Sequence, residues 1–196
     1  MSHNFIHRRG YWETKDATGH AHDGALERSI IEIFRRLGVA SVLDLGCGLG
    51  VYAAALRQEG FDCDAYDGNP NTEILTNGVG HPLDLSVAVD LQKRYDCVLS
   101  LEVGEHIPAE FEQVFIDNIC RHARRHVLLS WAVEGQPGTG HVNCRSNEYV
   151  AAAMQRSGFD VVPEHSLILR RQSSLWWFGN TLMWFQRRST AHVHGG

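Results

Sequence analysis

An apolar run that ends in three alternating glycines constrains this chain more than any other part of its sequence. Residues 42–45 precede Gly46, Gly48 and Gly50, and a helical pattern follows over residues 51–59. A buried strand, a glycine turn and a helix form the unit on which nucleotide cofactors bind. Glycine suits such a turn because it accepts positive φ and lets the backbone approach a ligand closely. An ordinary tight turn is the alternative.

The spacing of the glycines separates two classes of cofactor. A dinucleotide fingerprint has two residues between its second and third glycines, which would place a glycine at position 51. This chain has Val51 there. The pattern therefore disfavours a dinucleotide.

An acidic residue completes the motif. The segment 44–50, in which Asp44 precedes Gly-x-Gly-x-Gly by one spacer, resembles motif I of the class I S-adenosylmethionine (SAM) dependent methyltransferases. The resemblance implies SAM as cofactor and a Rossmann-like α/β fold whose seven-stranded, mostly parallel sheet ends in an antiparallel hairpin. In that family the glycine turn lies under the methionine and ribose, and the acid lies near the methionine amino group. Cys47, Tyr52 and Glu102 belong to the same predicted cofactor site.

Three consecutive residues, Asp67, Gly68 and Asn69, extend the predicted cofactor site. Asp67 ends a second predicted strand, twenty-one positions after Gly46, which is the offset expected of a carboxylate that binds a ribose diol. A solvated turn aspartate is the alternative. The resemblance implies that Gly68 and Asn69 line the adenine slot.

Asp84 and Leu85 follow a short apolar segment. They resemble the family's pair of an acid that reads the adenine amino group and an apolar residue that covers its face. Capping of a following helix by Asp84 or Ser86 is an equal alternative.

A second cluster of reactive side chains follows the strand predicted over residues 95–101. Glu102, Glu105 and His106 are spaced i, i+3, i+4, which places them on one side of a helical turn. Ligands of an open α/β sheet bind beyond the carboxyl ends of its strands, so the cluster should face the reaction centre. Two carboxylates this close repel each other unless a divalent cation, a shared proton or a cationic substrate relieves the repulsion.

His141 follows the next predicted strand, so its loop should converge on the same cluster. Glu-x-x-Glu-His with a later His resembles the metal site of the small-RNA 3′-terminal 2′-O-methyltransferases, and its first five positions also resemble the ubiquinone-biosynthesis O-methyltransferases. The resemblance implies a divalent cation bound by Glu102, Glu105, His106 and His141. Mixed carboxylate and imidazole ligands suit Mn²⁺, Zn²⁺, Fe²⁺ or Co²⁺, with Mg²⁺ as a further option.

A metal-free site is the alternative. Many methyltransferases without a metal carry a Glu-His pair at this place, where the histidine acts as general base or caps the following helix. Glu105, His106 and His141 are therefore the candidate catalytic residues, and a histidine would accept the proton of the methyl acceptor.

The periodicity of the chain predicts alternating strands and helices, and hence a doubly wound sheet. We expect one domain over residues 23–188, which begins with a helix that Asp23 caps and Gly38 ends. Residues 1–22 form an N-terminal segment and candidate lid, and residues 189–196 a C-terminal tail. The predicted strands are 41–45, 62–67, 81–83, 95–101, 126–133 and two apolar segments at 161–169 and 180–187. The predicted helices are 50–59, 71–76, 86–93, 108–124 and 146–157.

Composition indicates a soluble cytoplasmic protein. The 196 residues contain five cysteines without Cys-x-x-Cys spacing, which suggests reduced thiols. No apolar run is long enough to span a membrane, so no membrane partner is expected. The net charge of −5 disfavours nucleic acid, and cations at the end of a helix explain Arg121, Arg124 and Arg125 better than a phosphate-binding patch does.

The sequence therefore predicts a methyltransferase that modifies an O or N nucleophile of a small molecule. Methylation of an RNA terminus is the first alternative, because of the metal-site resemblance. A non-catalytic methyltransferase-like subunit that binds SAM is the second. The sequence carries no signal for an oligomeric state.

Overall fold

A seven-stranded sheet forms the centre of the computed structural model, which describes residues 5–17 and 19–189. The strands are β1 Ser41–Leu45, β2 Asp62–Asp67, β3 His81–Pro82, β4 Tyr95–Ser100, β5 Ala123–Leu129, β6 Phe159–Val161 and β7 Met183–Arg187. The helices are α1 Gly24–Leu37, α2 Val51–Gln58, α3 Thr72–Leu75, α4 Glu112–His122, α5 Asn147–Arg156, α6 Pro163–Gln172 and α7 Trp176–Thr181. Most of the predicted C-terminal tail, from residue 190 on, lies outside the described residues, as do residues 1–4 of the N-terminal segment.

The order of the strands is β3-β2-β1-β4-β5-β7-β6. The strands from β1 to β5 pair in parallel, whereas β7 pairs antiparallel with both β5 and β6. The predicted mostly parallel sheet with antiparallel C-terminal strands is confirmed. These last two strands are not joined by a tight turn, however, because α6 and α7 lie between them.

The helix predicted over residues 86–93 is absent, and this segment is irregular. Side chains of α4 bind the backbone groups that a helix would need. Asn118 accepts a hydrogen bond from the Val89 N–H at 2.9 Å and donates to the Val87 carbonyl at 2.8 Å. The Leu91 N–H donates to the His122 ring at 3.0 Å. Tertiary contacts therefore override the local helical pattern.

The strand predicted over residues 161–169 is also wrong. The strand β6 ends at Val161, and Pro163 begins α6, which buries Leu169. Proline has no backbone N–H to donate to a sheet but suits the first position of a helix, so Pro163 is the signal for the helix. The strand β5 begins at Ala123, three residues earlier than predicted, directly after α4.

The helix α1 is fixed at both ends as predicted. Gly38 ends it with φ +62°, and the Asp23 carboxylate accepts hydrogen bonds from the Ala25 and Leu26 N–H groups. The same carboxylate accepts three more, from the Ser174 N–H and hydroxyl and the Leu175 N–H, at 2.6 to 2.8 Å. Asp23 thus ties the start of α1 to the connection between α6 and α7.

Apolar cores lie on both faces of the sheet. One contains α1, through residues such as Ile30 and Phe34, and the other contains α4, through Phe115 and Ile119. All five cysteines are free thiols. Within the described residues no helix is long and apolar enough to cross a membrane.

Candidate active site

A cavity of about 370 Å³ lies at the carboxyl ends of β1, β2 and β4. Every predicted cofactor residue except Gly50 lines it. Gly50 instead precedes α2, with φ +69°. Of the predicted catalytic residues, His106 and His141 line the cavity, and Glu105 lies behind its wall. The structure therefore gathers the two predicted clusters around one space.

The glycine turn has the backbone geometry that its sequence implies. Gly46 and Gly48 have φ of +83° and +53°, a region that L residues rarely adopt. The Gly46 and Cys47 N–H groups donate to the Tyr66 carbonyl at 2.7 and 3.0 Å, which anchors the turn to β2. A Cβ at Gly48 would lie only 2.8 Å from Nδ1 of His20. The turn is therefore packed against the N-terminal segment as well as the cavity.

Asp67 stands at the end of β2 and is held rigidly. One carboxylate oxygen accepts from the Gly48 N–H and the other from the Asn69 N–H, both at 2.9 Å. Burial raises the pKa of Asp67 above its usual value. Each oxygen can still accept a second hydrogen bond, so a ribose diol remains chemically suitable for this carboxylate.

Asp44 has an unsatisfied carboxylate at the end of β1. Its side chain is buried, and Oδ2 has no hydrogen-bond partner among the described residues. Burial, and then the charge of Asp67, raise the pKa of Asp44 to about 7. A cationic group beside Oδ2 would satisfy the oxygen and favour its charged form. This is the environment that an amino group such as that of SAM would match.

Asp84 lies on the cavity without capping a helix, because no helix follows it. One oxygen accepts from the Ser86 N–H and hydroxyl, at 2.9 and 2.6 Å. The other accepts a 2.6 Å hydrogen bond from the Arg9 guanidinium. Burial opposes ionisation of Asp84, but the bonds from Ser86 and Arg9 hold its pKa below the usual value. Leu85 is buried beside it.

Residues 5–22, except the undescribed Thr18, form a strap within the segment predicted as a candidate lid, and its residues 9–12 and 19–22 line the cavity. Arg9 contacts Asp84, and Tyr11 packs closely on Gly68. A Cβ added at Gly68 would lie only 2.3 Å from the Cβ of Tyr11. The Thr14 carbonyl accepts from the Asn69 side chain at 3.0 Å. The strap thus contacts residues predicted to line the adenine slot.

Glu105, His106 and His141 form a group whose ligating atoms all lie within 4.8 Å of one another. The two histidine rings are 5.0 Å apart, and His141 Nε2 lies 3.9 Å from Glu105 Oε1. Glu105 is fully buried, and neither of its oxygens has a hydrogen-bond partner within residues 5–17 and 19–189. His106 Nδ1 is likewise buried without a partner there.

Glu102 stands outside this group, although the spacing placed it there. Its Oε2 accepts from the Gln136 amide at 2.5 Å and its Oε1 from the Thr181 hydroxyl at 3.2 Å. The reason is local: Glu102 has φ +54°, so the segment that follows β4 does not begin as an α-helical turn. The spacing therefore predicted the position of Glu102 in this group wrongly.

The electrostatics of the group disfavour the charged forms of both His106 and Glu105. Burial, followed by the charge of Glu102, raises the pKa of Glu105 well above its usual value. Burial, and then His141, lower the pKa of His106 to about 4. Near neutral pH His106 therefore has a free lone pair that can accept a proton or bind a cation.

The loops that follow β4 and β5 converge as predicted. The Val142 and Asn143 N–H groups both donate to the Glu105 carbonyl at 2.9 Å. His141 Nδ1 lies 3.2 Å from the Gln136 carbonyl. If Nδ1 carries the proton and donates to that carbonyl, Nε2 presents its lone pair toward Glu105.

Comparisons with known proteins identify the family and the fold. A family model described as "Methyltransferase domain" matches residues 19–164. The ubiquinone biosynthesis O-methyltransferase of Rickettsia prowazekii is 30% identical over 132 residues, which are 63% of this chain and 52% of that protein. The chain thus spans about half the length of this relative.

Solved structures match over most of the fold. The sugar N-methyltransferase KedS8 of Streptoalloteichus has a TM-score of 0.68 at 16% identity, covering 85% of this chain and 88% of that one. The magnesium protoporphyrin IX methyltransferase of Synechocystis with bound SAH has a TM-score of 0.64 at 19% identity, covering 83% and 82%. Together with the family match and the glycine turn, they show that this chain belongs to the class I SAM-dependent methyltransferases.

Proposed function

We propose that this protein transfers the methyl group of SAM to an oxygen or nitrogen nucleophile of a small molecule. The observation that carries the proposal is the unsatisfied Asp44 carboxylate beside the glycine turn, within a cavity that the Asp67 carboxylate also lines. SAM supplies a methyl group that its sulfonium makes electrophilic. The relatives named above as O- and N-methyltransferases support both acceptor types.

The residues of the chain divide the work of binding and proton transfer. Asp44 binds the amino group, Asp67 the ribose hydroxyls, and Asp84 with Leu85 the adenine. In a site without a cation, His106, which is neutral and lines the cavity, accepts the proton of the acceptor, with His141 as the second candidate. Holding donor and acceptor in line provides a large part of the acceleration.

We also propose that Glu105, His106 and His141 hold a divalent cation. The three residues fit one, because they offer unsatisfied carboxylate oxygens and an unsatisfied imidazole nitrogen close together. Such a cation would supply a Lewis acid that lowers the pKa of an acceptor hydroxyl. Glu102, held by Gln136 and Thr181, then acts as a neighbour of the site rather than a ligand.

A small acceptor fits the cavity better than an RNA terminus does. Among the described residues that line it, Arg9 is the single lysine or arginine, and it is paired with Asp84. Free lysine and arginine side chains bind the phosphate groups of RNA most strongly, and none lines this cavity among the described residues. The strap of residues 5–22 serves in this proposal as the lid over SAM.

Calorimetric titration with SAM and SAH tests the cofactor assignment. Wild-type protein should bind both with one-to-one stoichiometry, and Asp67→Ala should weaken binding by about 1 to 3 kcal/mol through loss of a charge-assisted hydrogen bond. Asp62→Ala, an exposed aspartate on the same strand, is the matched control and should bind as the wild type does. Absence of binding by the wild-type protein would contradict the proposal.

Elemental analysis of protein purified without chelator tests the cation. We expect near-stoichiometric metal that Glu105→Gln and His141→Ala lose while SAH binding persists, because the cofactor contacts lie on other strands. His81→Ala, at an exposed histidine that pairs with Glu73, should retain the metal. The cation would be contradicted if the purified protein contained no metal and its activity did not change with chelator or with added Mn²⁺, Zn²⁺, Fe²⁺, Co²⁺ or Mg²⁺. His106 would then act as a base without a metal.

A further inference from the structure

A cleft rich in arginine lies at the end of the sheet opposite the cavity. Arg94 precedes β4, Arg121 and Arg156 lie in the last turns of α4 and α5, and Arg187 ends β7. All four line the same cleft. The amino ends of the parallel strands meet here, so the cleft is separate from the proposed catalytic site.

Arg187 forms a rigid floor for this basic cleft. Its guanidinium donates to the Cys120 and Ala123 carbonyls at 2.6 and 2.7 Å and lies 4.4 Å from the centre of the Phe159 ring. Burial lowers the pKa of Arg187, and the charge of Arg94 adds to this effect. An anion would relieve the repulsion between the two cations.

The other three arginines are exposed and available. The guanidinium groups of Arg94, Arg121 and Arg156 make no hydrogen bond or ion pair with any described residue. The arginines next to Arg121 along the chain differ, since Arg124 pairs with Asp96 and Arg125 donates to the carbonyls that end α1.

The dipoles of the two helices do not account for the whole cleft. A cation in the last turn of a helix is stabilised by the helix dipole, which explains Arg121 and Arg156 one at a time. Arg94 and Arg187 belong to no helix. Asp117 is the single carboxylate among the described lining residues, and it accepts a hydrogen bond from Gln113. The cleft is therefore strongly positive in a chain of net charge −5.

We propose that this cleft binds a phosphate group. Guanidinium groups match phosphate oxygens in geometry and bind them through paired, charge-assisted hydrogen bonds. Arg187 provides a fixed donor at the floor, and Arg94, Arg121 and Arg156 close around the ligand from the walls. The source is a free phosphorylated anion or the headgroup of an acidic lipid, and both present the same chemistry.

Titration with inorganic pyrophosphate, and flotation with phosphatidylcholine vesicles that contain or lack phosphatidic acid, test this site. We expect one-to-one binding of pyrophosphate that the double variant Arg121→Gln, Arg156→Gln weakens at least tenfold. Flotation only with the acidic vesicles, lost in the same variant, would identify a lipid source. Pyrophosphate binding without flotation would identify a free anion.

The matched control is Arg28→Gln with Arg171→Gln, which removes two exposed, unpaired arginines elsewhere and should bind as the wild type does. Both double variants should keep the SAH affinity of the wild type, since neither touches the cavity. No binding of pyrophosphate or acidic vesicles, or equal binding by the cleft variant, would overturn the site. The site would also be overturned if the protein bound an RNA oligonucleotide but not pyrophosphate, because that result indicates an extended nucleic-acid surface.

Discussion

The Arg9 guanidinium lies 2.6 Å from the Asp84 carboxylate and thereby joins the strap to the residue proposed to bind the adenine. Ser86 holds the other oxygen of the same carboxylate. Asp84 therefore stays in place whether or not the strap is closed. A change of Arg9 alone therefore removes the contact with the strap and leaves the Ser86 contacts of Asp84 intact.

Arg9→Gln should speed the dissociation of SAH about 1.4- to fivefold, since a partly exposed ion pair contributes about 0.2 to 1 kcal/mol. Stopped-flow or surface-plasmon measurements give this rate. Arg8→Gln, at the exposed and unpaired arginine beside it, should dissociate as the wild type does. An unchanged rate in Arg9→Gln would show that the ion pair does not hold the strap over SAM.

Gly48→Val should abolish detectable SAH binding, because its side chain enters the space between the turn and His20. Gly60→Val is the control, since Gly60 also has positive φ, at +88°, but a Cβ there meets nothing within 4 Å. Both variants should lose about 1 to 2 kcal/mol of stability from the left-handed backbone. Calorimetry that finds equal SAH affinity in the two would remove Gly48 from the cofactor site.

The affinity for SAM should rise with pH between about 5 and 7. The Asp44 carboxyl has a pKa of about 7 in the free protein, and only its ionised form attracts the amino group of SAM. That amino group stays protonated below its own pKa of about 7.7 to 8. Asp44→Asn should bind weakly and with most of this slope removed, as titrations at several pH values will show. A slope that survives unchanged in Asp44→Asn would assign it to another group.

His126 should make the fold sensitive to acid. Burial, then Arg125 and His165, lower its pKa to about 4 against the opposing charge of Asp96. Because the unfolded chain binds the proton near pH 6.5, stability should fall as pH drops from about 6.5 to 4. Urea unfolding at pH 7 and 5 should show a smaller loss for His126→Leu than for the wild type. The exposed His81→Asn should lose as much stability as the wild type, and an equal loss in His126→Leu would refute this assignment.

Local sequence patterns correctly predicted the strands and the turn that carry the first predicted cofactor residues. The strands β1 and β2, the glycine turn and the position of Asp67 follow from short-range spacing, which a strand, a turn and a helix fix within about twenty residues. The segment 86–93 failed for the opposite reason. Its backbone partners come from Asn118 and His122, which are distant in the sequence and leave no periodic signal.

For the predicted catalytic cluster, the sequence identified most of the residues that come together but not how they are arranged. The convergence of Glu105, His106 and His141 follows from the order of neighbouring strands. The displacement of Glu102 depends on one left-handed φ angle, which side-chain spacing does not encode. The contacts of Arg9 and Thr14 with the cavity span more than fifty residues, so they too required the tertiary fold.

The five hydrogen bonds accepted by Asp23 imply an order of folding during synthesis. Three of their donors belong to Ser174 and Leu175, about 150 positions later in the chain. A chain emerging from the ribosome can form β1, β2 and the glycine turn long before those residues appear. The start of α1, and with it the end of the strap, gains its full anchorage only afterwards. SAM should therefore bind nascent chains late, once the connection between α6 and α7 has left the exit tunnel.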